Sequence, residues 1–285
     1  MKVKLKKPGI LPVLAVVAAV LLLVVLLLEK PSPEEPLQVT EQTTAPSVPV
    51  GEYTSPEDAE EKLALFAQMH DLTLDAWPER MVELLRKNPD AESFVLNYPF
   101  LKDSGQDADL SKLAGTGEVP RLYQWDARWG YTQYGDKEMA LTGCGPTCLS
   151  MVCLYYLGDG KYTPRYVADF AEEMGYYTIG AGTEWALMSK GAKKLGLNVV
   201  TIPPNAKRIK ANLEVGNLVV LAMEPGDFTE SGHYILLTGV QDGKAIVHDP
   251  NSKINSEKLW KISSIRDQIE NVWVFQPLEE TEAGD

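Results

Sequence analysis

Cysteine is scarce in this chain and unevenly placed: Cys144, Cys148 and Cys153 are the only three in 285 residues. A set so small and so clustered excludes a disulfide framework. Cys148 and Cys153 lie five apart on one expected helix, a poor geometry for a bridge, and read as small buried hydrophobes. Cys144 and Cys148 point to different parts of the same helix, so they do not read as paired zinc ligands, and no metal or cofactor is expected. There is no internal repeat and no glycine-rich phosphate loop. Cations are few as well. After Leu28, 23 basic residues stand against 40 acidic ones, and no basic patch with interleaved aromatics offsets them. Nucleic acid is thereby set aside as a partner, and anionic lipid or wall polymer would be repelled unless a local site overrides the charge.

What is present begins with nineteen uncharged, mostly apolar residues, Ile10 to Leu28. As a helix they would span about 28 Å, close to the roughly 30 Å of a bilayer core. Four lysines precede the run, and Glu29, Glu34 and Glu35 follow it. That asymmetry orients the N-terminus to the cytoplasm and everything after Leu28 to the outside. A cleaved signal peptide is the rival, but the run is longer than a usual signal core and lacks a small-x-small cleavage site. The expectation is a single-pass signal anchor in the cell membrane, residues 1–28. A Pro-, Glu- and Thr-rich tether follows over 29–54.

Residues 55–118 read as a helical pre-domain and connector. Ser55 and Pro56 open one helix, Pro78 a second, and Ala91 to Leu96 form a short third. Three helices in about fifty residues make too small a core to rely on, so packing against the main domain is expected. His70 falls at a helix end and reads as an exposed residue favoured by the dipole, not a ligand. Residues 119–276 form the main domain and 277–285 an acidic tail. Helices are expected first: from about Cys144 to Leu157, from Thr163-Pro164 to Gly175, and from Thr183 to Gly196. Strands come later, at Asn198 to Ile202, Leu218 to Met223, Tyr234 to Val240, Lys244 to His248 and Val272 to Phe275, with helical segments near Ala206 to Leu213 and Ser263 to Ile269. Helices before strands argue for an α+β fold with a mostly antiparallel sheet.

Chemistry concentrates at Thr142-Gly-Cys144-Gly-Pro-Thr-Cys148. Cys144 sits where an apolar helix begins, facing unpaired backbone donors and the positive end of the dipole, which favour thiolate over thiol. A nucleophilic cysteine also needs a base and a group that orients the base. His233 follows Ser231-Gly232 and opens an apolar strand. The Gln241-Asp242-Gly243 stretch predicts a three-residue hairpin loop that pairs Val240 with Lys244, hence Ile235 with Asp249 and His233 with Asn251, whereas a two-residue turn would pair Leu236 with Asp249 and point that carboxylate the other way. Asp249 and Asn251 are both candidate orienters, and His248 points away. An oxyanion donor is expected from Gln124, with the nearer Gln133 as rival. Trp125, Trp129, Tyr131, Tyr134 and Trp185 read first as core or rim packing, and some of them as candidate cleft walls, because Gly130, Gly135, Gly180 and Gly182 near them suggest mobile rims.

Gln124-Trp125-Asp126, Arg128-Trp129-Gly130-Tyr131, the Cys144 motif, Gly182-Thr183, Gly226-Asp227-Phe228-Thr229, Gly232-His233 and Asp249-Pro250-Asn251-Ser252, in this order, resemble the papain-like cysteine peptidases related to bacteriocin-processing double-glycine peptidases, family thirty-nine of clan CA. The resemblance implies a papain-like fold, with Cys144 as nucleophile, His233 as base, Asp249 as orienter and Gln124 at the oxyanion hole. In the bacteriocin-processing members the Gln lies a few residues before the Cys; here the spacing is twenty, so the Trp129 to Leu141 region must fold back. Those members are fused to an exporter inside the cell, so their leader-peptide substrate does not carry over. The expected function is a membrane-anchored extracytoplasmic cysteine peptidase with a peptide or protein substrate and contact with cell-wall peptide. An acyltransferase, a wall-peptide amidase and a non-catalytic binding module are the alternatives.

Overall fold

The computed structural model describes residues 59–104 and 108–278. The expected membrane anchor, the tether and most of the acidic tail lie outside the described residues. Among those described, no helix is long and apolar enough to cross a membrane.

The chain enters as a helical segment: α1 (Ala59–Met69), α2 (Glu79–Lys87), α3 (Glu92–Leu96) and α4 (Tyr98–Leu101). Pro78 is the N-cap of α2, and Met81, Leu84 and Leu85 form its buried face. At the end of α1, His70 stacks between Phe66 and Phe100 and so belongs to a small aromatic cluster. Next come the short hairpin β1 (Gln133–Tyr134) and β2 (Lys137–Glu138), then α5 (Met139–Thr142) and α6 (Cys144–Leu157). Helix α6 begins at Cys144, as its sequence implies, and is stopped by Gly158 at φ 64°. It is buried on nearly every side, which is why it reads as an almost continuous apolar run rather than a stripe. Helix α7 (Pro164–Glu173) is capped by the Thr163 side chain, which accepts the Tyr166 N–H.

One boundary lies elsewhere than expected. Thr183 does not open a helix; it belongs to a second small hairpin, β3 (Tyr177–Thr178) with β4 (Gly182–Thr183). The helical path starts at Trp185 and passes through a π turn, Leu187–Gly191, into α8 (Ala192–Lys194).

The remaining strands are β5 (Asn198–Ile202), β6 (Leu218–Met223), β7 (His233–Gln241), β8 (Lys244–His248), β9 (Leu259–Trp260) and β10 (Ile269–Gln276). With α9 (Ala206–Glu214), α10 (Lys253–Glu257) and α11 (Ile262–Ile265) between them, they build a six-stranded sheet in the order β5-β10-β6-β7-β8-β9. Every pairing in it is antiparallel. Val220, Leu236 and Trp273 pack toward α6, whereas Val219, Leu221 and Ile235 pack toward α9 and α11. With both faces covered, β6 is buried at every position and spells Leu-Val-Val-Leu-Ala-Met. The fold is α+β. The expected Ser263 to Ile269 helix is shorter than its pattern suggests, because Ile269 already opens β10.

The β7–β8 turn corrects a second expectation. The loop has two residues, Asp242 and Gly243, both at positive φ (52° and 73°), which is the type I′ geometry an Asp-Gly pair favours. It pairs Gln241 with Lys244, one residue out of the expected register. A bulge at Thr238 then removes the offset, so Leu236 faces His248, and one further step places Ile235 opposite Asp249.

Candidate active site

Cys144 is the first residue of α6, His233 the first of β7, and Asp249 follows the last residue of β8. The His233 ring donates from Nε2 to Asp249 Oδ1 at 2.8 Å. Its other nitrogen is left for Cys144, whose thiol hydrogen-bonds the same ring. Asp249 is further fixed by the Asn251 N–H on Oδ1 at 2.8 Å and by the Asn255 amide on Oδ2 at 2.9 Å. The Asn251 side chain turns instead to Asn88, whose amide donates to it at 3.0 Å. Of the two candidate orienters, Asp249 is therefore the one that touches the ring. His248 donates from Nδ1 to the Pro120 carbonyl at 3.2 Å, away from the thiol.

Charge in this cluster is set by burial against partners. Burial opposes ionisation of Cys144, but the bond and charge of His233, with the N–H groups of Tyr234 and Gly145, bring its pKa below the ordinary thiol value. Burial also opposes charge on His233, yet the Asp249 carboxylate and Cys144 raise its pKa to about 10. Asp249 is held below the usual carboxylate value by His233, Asn255 and the Asn251 N–H, against its burial. The three groups thus favour an imidazolium between a thiolate and a carboxylate. Cys148 and Cys153 are free and fully buried, and burial pushes both thiols up.

Gln124 lies beside this cluster. The segment after it folds back through β1, β2 and α5, and the Gln124 amide donates to the Ala140 carbonyl at 2.7 Å. Its Oε1 is buried without a partner among the described residues, and its side chain lines a cavity shared with Cys144 and His233. Gln133 stays on the exposed hairpin and donates to the Gly135 carbonyl, so it does not reach the thiol.

Two cavities meet at Cys144 and His233. One, of about 370 Å³, runs between the β1–β2 and β3–β4 hairpins, with Trp185 and Thr183 on its wall. The other, of about 720 Å³, lies between α2 and the Gly226–Gly232 loop. The expected aromatic rims resolve unequally. Trp125, Trp129, Tyr131 and Tyr134 are buried, whereas Trp185 is 43% exposed and lines the first cavity. Gly130 and Gly135 are not loose hinges: a Cβ on either would strike the Phe94 or Tyr177 ring. Gly145 has a similar role, since its missing Cβ lets Thr183 approach the start of α6.

Packing of the N-terminal helices on the main domain is expected from the sequence, but the contacts through which they support the site are not. Asn88 donates to the Asn251 carbonyl at 2.6 Å, Tyr131 donates to the Phe94 carbonyl at 2.8 Å, and Arg80 forms a two-pronged pair with Glu138. These partners lie 37 to 163 residues apart, and no local pattern announces them.

The sequence profile of the Peptidase_C39 like family matches residues 116–276, more than half of the chain. No curated protein matches. Among solved structures, the peptidase domain of Streptococcus ComA, a bifunctional ABC transporter of a quorum-sensing pathway, is 19% identical with a TM-score of 0.39; the match covers 48% of this chain and 93% of that one. A structure from Bacillus anthracis described as a C39-like peptidase is 14% identical with a TM-score of 0.36, over 60% of this chain and 99% of that one.

Proposed function

This chain belongs to the Peptidase_C39 like family, and we propose that it is a papain-like cysteine peptidase that uses Cys144, His233 and Asp249 as its triad. The observation that carries this reading is the His233–Asp249 bond at 2.8 Å on a ring that also bonds Cys144, at the junction of two cavities. The Cys144 thiolate attacks a substrate carbonyl. The oxyanion that forms is received by backbone N–H groups at the start of α6 and by the Nε2 hydrogen of Gln124 that Ala140 leaves free. His233 then protonates the leaving amine, and water resolves the acyl-enzyme with the same imidazole as base. Asp249 keeps the ring oriented and stabilises its charge.

The residues before Ser55 carry the second part of the proposal: Ile10 to Leu28 anchors the enzyme with its peptidase domain outside the membrane, where peptide or wall-peptide substrates are met. Digestion of intact cells with an external protease tests this placement; protection of the domain until lysis would overturn it.

The catalytic reading is tested with iodoacetamide on the intact chain, following Cys144 by mass. Cys144 is expected to react faster than a free cysteine, and the gain should vanish in His233→Ala. Reaction no faster than free cysteine overturns catalysis and leaves a binding domain.

A further inference from the structure

The α2 side of the cleft has an uneven balance of spent and unspent charge. Three carboxylates line it, two of them in ion pairs and the third, Asp227, hydrogen-bonded to a neutral amide. Glu83 pairs with Arg86 and Lys87, Glu230 pairs with Lys87 at 2.8 Å, and Asp227 accepts the Gln268 amide at 2.7 Å. Arg86 and Lys87 are consumed in those pairs, together with Glu60 and Glu79.

Two cations on the same wall keep a donor free, although the charge of one of them, Arg80, is matched by Glu138. Arg80 gives Nε and Nη2 to the buried Glu138 carboxylate, and Nη2 also meets the Tyr98 hydroxyl, while Nη1 has no partner among the described residues. The buried carboxylate fixes the plane of the guanidinium and turns its free edge into a pre-organised donor. Lys137, next in sequence to Glu138, is exposed, and its Nζ has no hydrogen-bond or ion-pair partner among the described residues. Its neighbour Asp136 accepts the Tyr177 hydroxyl at 2.5 Å and feels the Lys137 charge, though no ion pair joins the two. Glu270 lines only the other cavity. Lys137, like Cys144 and His233, lines both.

We propose that this side of the cleft is a subsite for a carboxylate carried by the substrate, read by Lys137 and by the free edge of Arg80. In a chain of net charge −13, these free donors share a cavity with the reactive thiol, and they recognise an acidic side chain or a free α-carboxylate through the same chemistry. Arg80 lies on α2, outside residues 116–276, so the helical segment supplies part of the specificity. The inference rests on the cysteine-peptidase reading.

The test uses the full chain and peptidyl vinyl sulfones in matched pairs, with Glu or Gln on either side of the warhead and with a free or amidated carboxy terminus. The carboxylate member of at least one pair is expected to label Cys144 about five to ten times faster at low salt, with the ratio shrinking as salt rises. The Glu pair and the terminal pair identify the source of the carboxylate. In Lys137→Gln, an exposed change that removes no packing, the ratio should fall toward one. Arg80→Lys, which spares Glu138 an unpaired burial, should lower it in part. Equal rates within every pair, with iodoacetamide still reacting faster at Cys144 than at free cysteine, overturn the subsite alone. Slow iodoacetamide reaction overturns the catalytic reading and this one with it.

Discussion

The Asp90 carboxylate accepts the main-chain N–H of Lys253 at 2.7 Å, across 163 residues of sequence. Lys253 opens α10, and that helix carries Asn255, whose amide holds the second oxygen of Asp249. Asp90→Ala is expected to cost about 1 kcal/mol, as for a lost helix cap, and to slow labelling of Cys144 several-fold. Asp90→Asn keeps an acceptor and should recover most of both, as read by thermal unfolding and probe kinetics. Loss of stability with no change in labelling would show that the contact only joins two layers.

The pH dependence follows from the directions at Cys144 and His233. The depressed thiol keeps Cys144 reactive toward iodoacetamide below the roughly pH 8.5 of a free cysteine. Turnover should decline as pH rises through about 10, where His233 loses the proton that the leaving group needs. The same ring links pH to stability: its contribution is complete below its ordinary 6.5 and is lost as pH climbs through about 10. Asp249 acts at the other end, contributing above its ordinary 3.8 and losing that contribution as acid protonates it.

His248 should make the fold acid-sensitive without touching catalysis. Burial and the nearby Arg121 charge lower its pKa to about 4, against the support of the Pro120 carbonyl. Between pH 6.5 and 4 the unfolded chain therefore binds the proton that the folded chain refuses, and stability falls as pH falls. The span is worth at most about 3 kcal/mol. His248→Gln should flatten this part of a denaturation profile; an unchanged profile would assign the acid sensitivity elsewhere.

Trp185 separates packing from substrate contact. Its ring meets Trp273 edge-on at 6.1 Å between centroids, while 43% of the residue is open toward the β3–β4 cavity. Trp185→Ala is expected to lower stability by about 1 kcal/mol or less and to raise KM for any peptide that fills that cavity. A loss of stability with unchanged kinetics would make it a packing residue only.

Much of this was legible because local signals and tertiary demands coincide. Thr163-Pro164 caps and opens α7, and the alternation and apolar runs of β5, β6 and β8 end where the strands end. Cys144 could be placed from a helix start and His233 from a strand start, whereas Asp249 and Asn251 remained equal candidates until the fold set one of them on the ring. What was not legible depends on distant partners: β3–β4 is too short to carry a period, the π turn after Trp185 has no pattern of its own, and Asn88 acquires its role only by meeting Asn251. The turn was misjudged because Gln241 reads as loop in sequence yet pairs with Lys244 in the sheet.

The bulge at Thr238 gives the β7–β8 hairpin the logic of a frameshift and its suppressor. The turn sets one frame and the extra residue on β7 restores the other, so His233 and Asp249 answer to the sheet and not to the loop. Deleting Thr238 should therefore only close the ladder between Leu237 and Gly239 and leave Asp249 on the His233 side, with labelling of Cys144 retained.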